Sequence, residues 1–318
     1  MKIEKLSPAF KDYIWGGVKL REVYGKPCGY DRVAESWELS THPAGQSKIS
    51  GGELDGMELS EYFRLHPEVL GKNCGEFANF PVLIKFIDAK NPLSIQVHPS
   101  DEYALKEEGE YGKTEMWYVM DCELGAYLYF GVNREVSQEE FRQRIADNTV
   151  EEVLNRVEVH PGDAFFIQSG TIHAIGAGIL ICEIQQNSNC TYRVYDYGRV
   201  GADGKPRELH VEKAMAVSRL TPSDAAASQG EAQEIPGGTK TRLASCKYFT
   251  TDKYEIHGRG EIEVDGSSFL SLIAMEGGGQ VKSRENAVAF KAGDSIFVPA
   301  GSGTVEISGD CALAATRV

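Results

Sequence analysis

Four residues of metal-binding type stand where strands could aim them at one point. Gln96 and His98 lie two apart in "LSIQVHPS", so on a strand they share a face, and Pro99 ends that strand just after them. Glu115 opens the apolar run "EMWYVM", and His173 follows the Gly turn of "IQSGTIHAI". Side chains from strand ends can converge inside a small barrel and hold a metal ion. A Gln and two neutral His add no charge and Glu115 adds one negative, so a divalent cation would keep a net charge near +1. Such a centre is a Lewis acid able to stabilise an oxyanion. The set contains no thiolate, which argues against a purely structural zinc site.

Two basic residues add to this chemistry. Lys85 interrupts the apolar run "PVLIKFI", and an inward lysine there is costly unless paired, so it points outward or serves a pocket. Arg193, in "TYRVYD", carries a fork suited to a phosphate or a developing oxyanion.

The elements expected to position these residues are mostly strands. Runs at 80–89, 93–98, 115–120, 125–132, 164–169 and 178–186 are apolar and bounded by Gly, Pro, Asn or Asp. Residues between 98 and 115 read as a charged loop. Helical patterns are few: 60–71, interrupted at Pro67; 137–148, opened by a capping box of Ser137 with Glu140; and 207–220. The stretch 221–240 lacks apolar periodicity and reads as a linker. A repeat spans it. "PGDAFFIQSGTIHAI" aligns with "AGDSIFVPAGSGTVEI", matching Gly162 with Gly293, Asp163 with Asp294, Phe166 with Phe297 and Gly170 with Gly301. His173 then faces Thr304, so the second copy has lost whatever His173 does. The expected fold is mainly β, with two related barrels and a few short helices. The expected organisation is a first domain with helical additions over 1–220, the linker over 221–240, and a second, degenerate copy over 241–318.

Bulk properties narrow the function classes. The 318-residue chain carries a net charge of −14, which disfavours nucleic acid and anionic membranes as partners. An anionic substrate would need a local cluster of Lys and Arg. Seven cysteines, an odd number without CxxC spacing, read as reduced thiols in a reducing compartment. No secretory h-region is visible at the start, and no apolar run approaches the ~18 residues of a membrane span. The expected location is the cytoplasm.

The pattern G-x5-Q-x-G-x2-H from Gly162 to His173 resembles the second motif of cupins, in which the His binds a metal. "NPLSIQVHPSDEYA", "GKTEMWYV", "IQSGTIHAIGAGILICEIQQNSNCTYRVYDYGR" and "YIWGG" together resemble the type I mannose-6-phosphate isomerases, in their short bacterial form. The likeness spans most of residues 10–200 and implies two cupin-type jelly-roll barrels, a catalytic cupin domain over 1–220 and a degenerate one over 241–318. It implies a Zn²⁺ ion held by Gln96, His98, Glu115 and His173, and a small sugar phosphate as substrate. It implies catalytic roles for Arg193, Lys113 and Glu183, and a place for Lys85 near the substrate. Trp15 is placed near the pocket mouth as a substrate-binding residue, although tryptophans more often pack cores. The implied reaction interconverts mannose 6-phosphate and fructose 6-phosphate through an enediol or enediolate. Two departures bear on proton transfer: Gly112 stands where longer members have a His, and Asn189 where they have an Asp.

Three other readings compete. His98, Glu115 and His173 alone form a two-His, one-carboxylate set suited to a non-haem Fe(II) oxygenase, although Gln96 fills a position such an enzyme leaves open. A non-catalytic sugar-binding cupin would tolerate loss of the metal. An isomerase of glucose 6-phosphate differs only in substrate.

Overall fold

A computed structural model describes residues 1–200, 204–222 and 229–318. The amino-terminal half is a sandwich of two antiparallel sheets. One runs Ala164–Ile167, Glu115–Cys122, Ile179–Gln186, Val82–Ala89, Glu35–Leu39, Ala9–Lys11. The facing sheet runs Tyr192–Tyr195, Ile95–Val97, His173–Ile175, Tyr127–Val132, Leu154–Glu158. Every residue of Val82–Ala89 and Ile179–Gln186 is buried, because both faces of these strands are covered. That is why they read as continuous apolar runs rather than alternating ones. One face packs Ile87, Ile179 and Ile181 with Trp117 and Phe165 inside the sandwich. The other packs Ile84, Phe86, Cys182 and Ile184 against the carboxy-terminal half.

That second half is a sheet of long strands. Thr250–Val264 and Gly303–Arg317 pair along their whole length, and Leu270–Lys282 lies on the other side of Gly303–Arg317. The first strand of the chain, Glu4–Ser7, pairs with Ser295–Val298, so the amino terminus belongs to this sheet. Phe63, Phe80, Phe269 and Phe297 join the halves through ring contacts of 4.8, 5.2 and 5.4 Å. Each such pair contributes about 0.5–1.5 kcal/mol beyond simple burial. Both halves have the expected jelly-roll form, although hydrogen bonding leaves their sheets open rather than closing them into barrels.

The repeat is present in three dimensions. Gly162 and Gly293 have φ of 98° and 91°; Gly170 and Gly301 have 86° and 75°. The Asp163 carboxylate accepts from His160 N at 2.8 Å, and Asp294 accepts from Lys291 N at 2.9 Å.

Other expectations need correcting. Residues 101–107 form a helix, Asp101–Glu107, not a loop; its single buried residue, Ala104, gave no apolar stripe to detect. The expected helix over 207–220 is only Val211–Val217, and residues 207–210 form an irregular segment beside the site. Part of the expected linker is a hairpin, Ala232–Ile235 with Gly238–Ser245, added to the edge of the second sheet. Its first strand is largely exposed, so it carries no alternating apolar pattern. Residues 223–228 of that linker lie outside the described ones. The Ser137 hydroxyl does cap its helix, accepting from Glu140 N at 3.1 Å, but Glu140 turns to Arg134 and Arg144 instead of completing the box.

Candidate active site

Ile95 and Val97 are fully buried in the core outside the sandwich interior, which turns Gln96 and His98 inward. His173 pairs directly with Gln96 across the sheet. Glu115 arrives from the opposite sheet as the first residue of its strand. The Glu115 carboxylate lies 3.5 Å from His98 Nε2 and 3.3 Å from His173 Nε2. The Gln96 amide is 3.5 Å from His173 Nε2; turned over, it presents Oε1 there, the atom a cation requires. His98 Nδ1 donates to the Cys190 carbonyl at 2.9 Å, and His173 Nδ1 to the Thr171 carbonyl at 2.8 Å. A carbonyl can only accept, so each ring keeps its Nε2 lone pair for the centre. Burial pushes His98 well below its ordinary value and His173 down to about 4, so both are neutral near pH 7.

Glu115 has no exposed surface, and Lys113 stands against its Oε2 at 2.6 Å. Burial, then the nearby Glu183, raises its carboxyl to about 7 against the pull of Lys113. Its Oε1 has no hydrogen-bond donor among the described residues, and an unanswered buried carboxylate oxygen is costly. Three ligand atoms from His98, Glu115 and His173 lie within 4.8 Å of one another, so these residues fit a divalent cation.

Beside this centre runs a chain of alternating buried charges. Lys113 Nζ is 2.6 Å from Glu115 Oε2, 3.2 Å from His98 Nε2 and 3.4 Å from Glu183 Oε1. Glu183 also meets Lys85 Nζ at 3.0 Å, and Lys85 meets Glu35 at 3.6 Å. Trp117 Nε1 donates to Glu183 at 2.8 Å and Trp37 Nε1 to Glu35 at 2.7 Å. Burial would raise Glu183, but Lys113 and Lys85 outweigh it and hold the carboxyl at about 2. Burial would lower Lys85, yet Glu183 and Glu35 together push it upward. The inward lysine of the apolar run is therefore paired on both sides.

These residues border a cavity of about 270 Å³. Trp15, Lys85, Gln96, Lys113, Glu183 and Arg193 all line it. His98, Glu115 and His173 sit behind Gln96 and Lys113. Four cationic and two acidic side chains face the cavity, which leaves it positive within a chain of net charge −14. Arg193 lies on the strand beside Gln96 and does not pair with Asp196. Its Nη1 donates to the Glu208 carbonyl at 2.7 Å, and its backbone N donates to His210 Nδ1 at 3.0 Å.

Sequence reasoning missed Glu35, Arg207 and His210. Glu35 stands two before Trp37 and so shares its strand face, a carboxylate at an apolar parity that could have marked it. Arg207 and His210 lie in an irregular segment with no pattern to read. The Gly112 departure has a steric cause: a Cβ there would lie 2.4 Å from Ser100 C and 2.6 Å from Pro99 O. The backbone that delivers Lys113 leaves no room for a side chain at 112, so no base comes from that position.

The fold and site define a cupin with a buried metal-type centre under a basic pocket. Residues 3–123 match the family description "Phosphomannose isomerase type I, catalytic domain", and residues 239–318 match "Mannose-6-phosphate isomerase, cupin domain". The chain is 40% identical over 303 residues to mannose-6-phosphate isomerase ManA of Bacillus subtilis, covering 95% of this chain and 94% of that one. It is 36% identical over 304 residues to a mannose-6-phosphate isomerase of Streptococcus mutans, covering 96% and 94%. A crystal structure of the mannose 6-phosphate isomerase from B. subtilis superposes with a TM-score of 0.92 at 36% identity, covering both chains fully. The chain belongs to the type I mannose-6-phosphate isomerase family. The described residues include no helix long and apolar enough to cross a membrane.

Proposed function

We propose that this chain interconverts mannose 6-phosphate and fructose 6-phosphate by proton transfer between C1 and C2, with Zn²⁺ held by Gln96, His98, Glu115 and His173. The observation that carries this reading is the convergence of those four side chains from two sheets beneath a cavity lined by Lys85, Lys113 and Arg193. When bound, zinc supplies a redox-inert Lewis acid that favours negative charge on the sugar oxygens.

The chain's own groups divide the remaining tasks. Lys113 Nζ stands between the metal ligands and the cavity, where its neutral amine form would take a proton from one carbon and its ammonium form return it to the next. Glu183, held at about 2, is too weak a base for that step. It instead fixes Lys113 and Lys85 in place. Lys85 is neutralised by two carboxylates and serves as an oriented donor to sugar hydroxyls. Arg193 has no carboxylate partner among the described residues and is suited to an anion. Trp15 is 4% exposed and walls the cavity against water.

A coupled isomerase assay on the purified chain tests this, with metal analysis before and after chelation. Turnover of mannose 6-phosphate should vanish with chelator and return with zinc. Zinc-replete protein that leaves mannose 6-phosphate unchanged, or oxygen uptake that tracks iron content, would overturn it. Following deuterium loss from C2 in Lys113→Ala assigns the base; undiminished loss would remove Lys113 from that role.

A further inference from the structure

Arg193 and Arg207 line one side of the cavity, with Arg199 close by, and among the described residues one carboxylate answers this group. Asp196 accepts from Arg199 Nη2, and from Arg207 through Nη2 and, at 2.7 Å, Nε. One carboxylate thus serves two guanidinium groups. Arg193 stands nearby with a buried Nε that donates to nothing in the described structure. Both committed nitrogens of Arg207 face Asp196, which leaves its Nη1 without a partner among the described residues. Arg193 and Arg207 line the cavity; Arg199 does not.

The two cavity arginines are held close by backbone, not by an anion. The Glu208 carbonyl, next to Arg207, accepts from Arg193 Nη1 at 2.7 Å. His210 N donates to the Arg193 carbonyl at 2.8 Å, and His210 Nδ1 accepts from Arg193 N at 3.0 Å. The segment carrying Arg207 is therefore laced onto the strand carrying Arg193. Burial lowers Arg193 from its ordinary value, and the charge of Arg207 lowers it further. Two like charges fixed side by side against a solvent cavity favour an anion between them. Lys85 and Lys113, by contrast, are already matched by carboxylates.

We propose that Arg207 and Arg193 form a two-guanidinium seat for the phosphate dianion of the substrate, and that Arg207 sets the preference for phosphorylated over free sugar. The proposal rests on the sugar-phosphate reading above. A phosphate monoester carries about two negative charges and three acceptor oxygens near neutral pH. Arg207 Nη1 is a donor that no described residue uses, and Arg193 adds a second guanidinium charge to the cavity lining. The pairing with Asp196 fixes the plane of Arg207 and leaves its Nη1 uncommitted among the described residues.

The test compares Arg207→Gln with Arg199→Gln in the full-length protein. Both substitutions remove one arginine from Asp196, but only the first removes a donor from the cavity. KM for mannose 6-phosphate and the inhibition constant for inorganic phosphate should both rise about 10- to 100-fold in Arg207→Gln, with kcat changed far less. Arg199→Gln should leave both constants near wild type. Equal behaviour of the two variants means a merely structural role and overturns the proposal. If Arg207→Gln fails to fold, Arg207→Lys keeps the charge but not the fork; a KM raised together with the phosphate constant supports the seat, and unchanged constants sink it. Calorimetric titration with inorganic phosphate separates this idea from the reading it rests on. Phosphate binding that depends on Arg207 in a protein without isomerase activity supports the seat and removes the reaction. Turnover of mannose 6-phosphate without Arg207-dependent phosphate binding does the reverse.

Discussion

The two jelly rolls share a backbone and differ in what they put inside it. Their hydrogen bonds can be superimposed residue by residue. Gly170 N donates to the His98 carbonyl, and Gly301 N donates to the Asp265 carbonyl. Gln96 pairs with His173, and Glu263 pairs with Thr304. Glu115 pairs with Ile167, and Leu270 pairs with Val298. The second-half counterparts of Gln96, His98, Glu115 and His173 are therefore Glu263, Asp265, Leu270 and Thr304. Three of these are exposed, and Thr304 donates its hydroxyl to Glu263 at 2.9 Å. The fourth, Leu270, is buried among Ile256, Leu272, Val298 and Leu313 in an apolar core. The segment between the second and third ligand positions is also shorter, 266–269 against 99–114, and Ser268 stands two before Leu270 where Lys113 stands two before Glu115. One copy buries charges at a cost in stability; the other buries hydrocarbon and supports the whole. The difference teaches that this scaffold tolerates loss of chemistry so long as its Gly-Asp turns and pairing remain.

Ligand removal should break the comparison most sharply. His173→Ala or Glu115→Gln should lose bound metal and about three or more orders of magnitude in kcat/KM. Thr304→Ala, the matching change, should stay within about 0.5 kcal/mol in stability and keep full activity. Metal analysis and steady-state kinetics on the three proteins read the result. Conversely, Thr304→His alone should bind no metal, because its partners are a leucine and exposed carboxylates.

Stability should divide the other way. Leu270→Ala removes a fully buried side chain and should cost about 2–5 kcal/mol in urea unfolding, while activity per folded molecule persists. Equal loss of activity from the folded fraction would mean that the second half shapes the site directly. Gly112→Ala should be milder, near 1–3 kcal/mol, yet raise KM by displacing Lys113.

How much of this was legible follows from the same contrast. Gln96, His98, Glu115 and His173 could be read because polar types at strand ends break an apolar alternation. The repeat could be read because only glycine suits the positive φ at 162, 170, 293 and 301. Lys85 was legible as an anomaly but not its resolution, since Glu35 and Glu183 come from strands far apart in sequence. Arg207 was not legible at all: an arginine in an irregular segment looks like any surface arginine until the cavity is seen. The hairpin inside 221–240 escaped notice because an exposed edge strand has no face to bury.

The smallest predicted effect concerns pH and distinguishes the two copies by their buried groups. Glu115 has its carboxyl raised to about 7 by burial, from an ordinary value of 4.5. A cation requires the ionised form, so below about pH 7 binding must first remove a proton. Metal affinity should fall by up to about tenfold per pH unit between pH 7 and 5. His173, at about 4, stays largely neutral over that range, and burial of His98, which pushes it below its ordinary value, makes its share of the slope smaller than a free imidazole's. For the metal-free protein the sign reverses. A raised folded value means that the protonated form favours folding; that stability is present below about 4.5 and is lost as pH rises through about 7. Metal titrations and urea unfolding at pH 5, 6, 7 and 8 check both slopes. Glu115→Gln should flatten the stability slope, whereas Leu270→Ala should leave it unchanged. A metal-free protein more stable at pH 8 than at pH 5 would show that Lys113, not burial, governs this carboxylate.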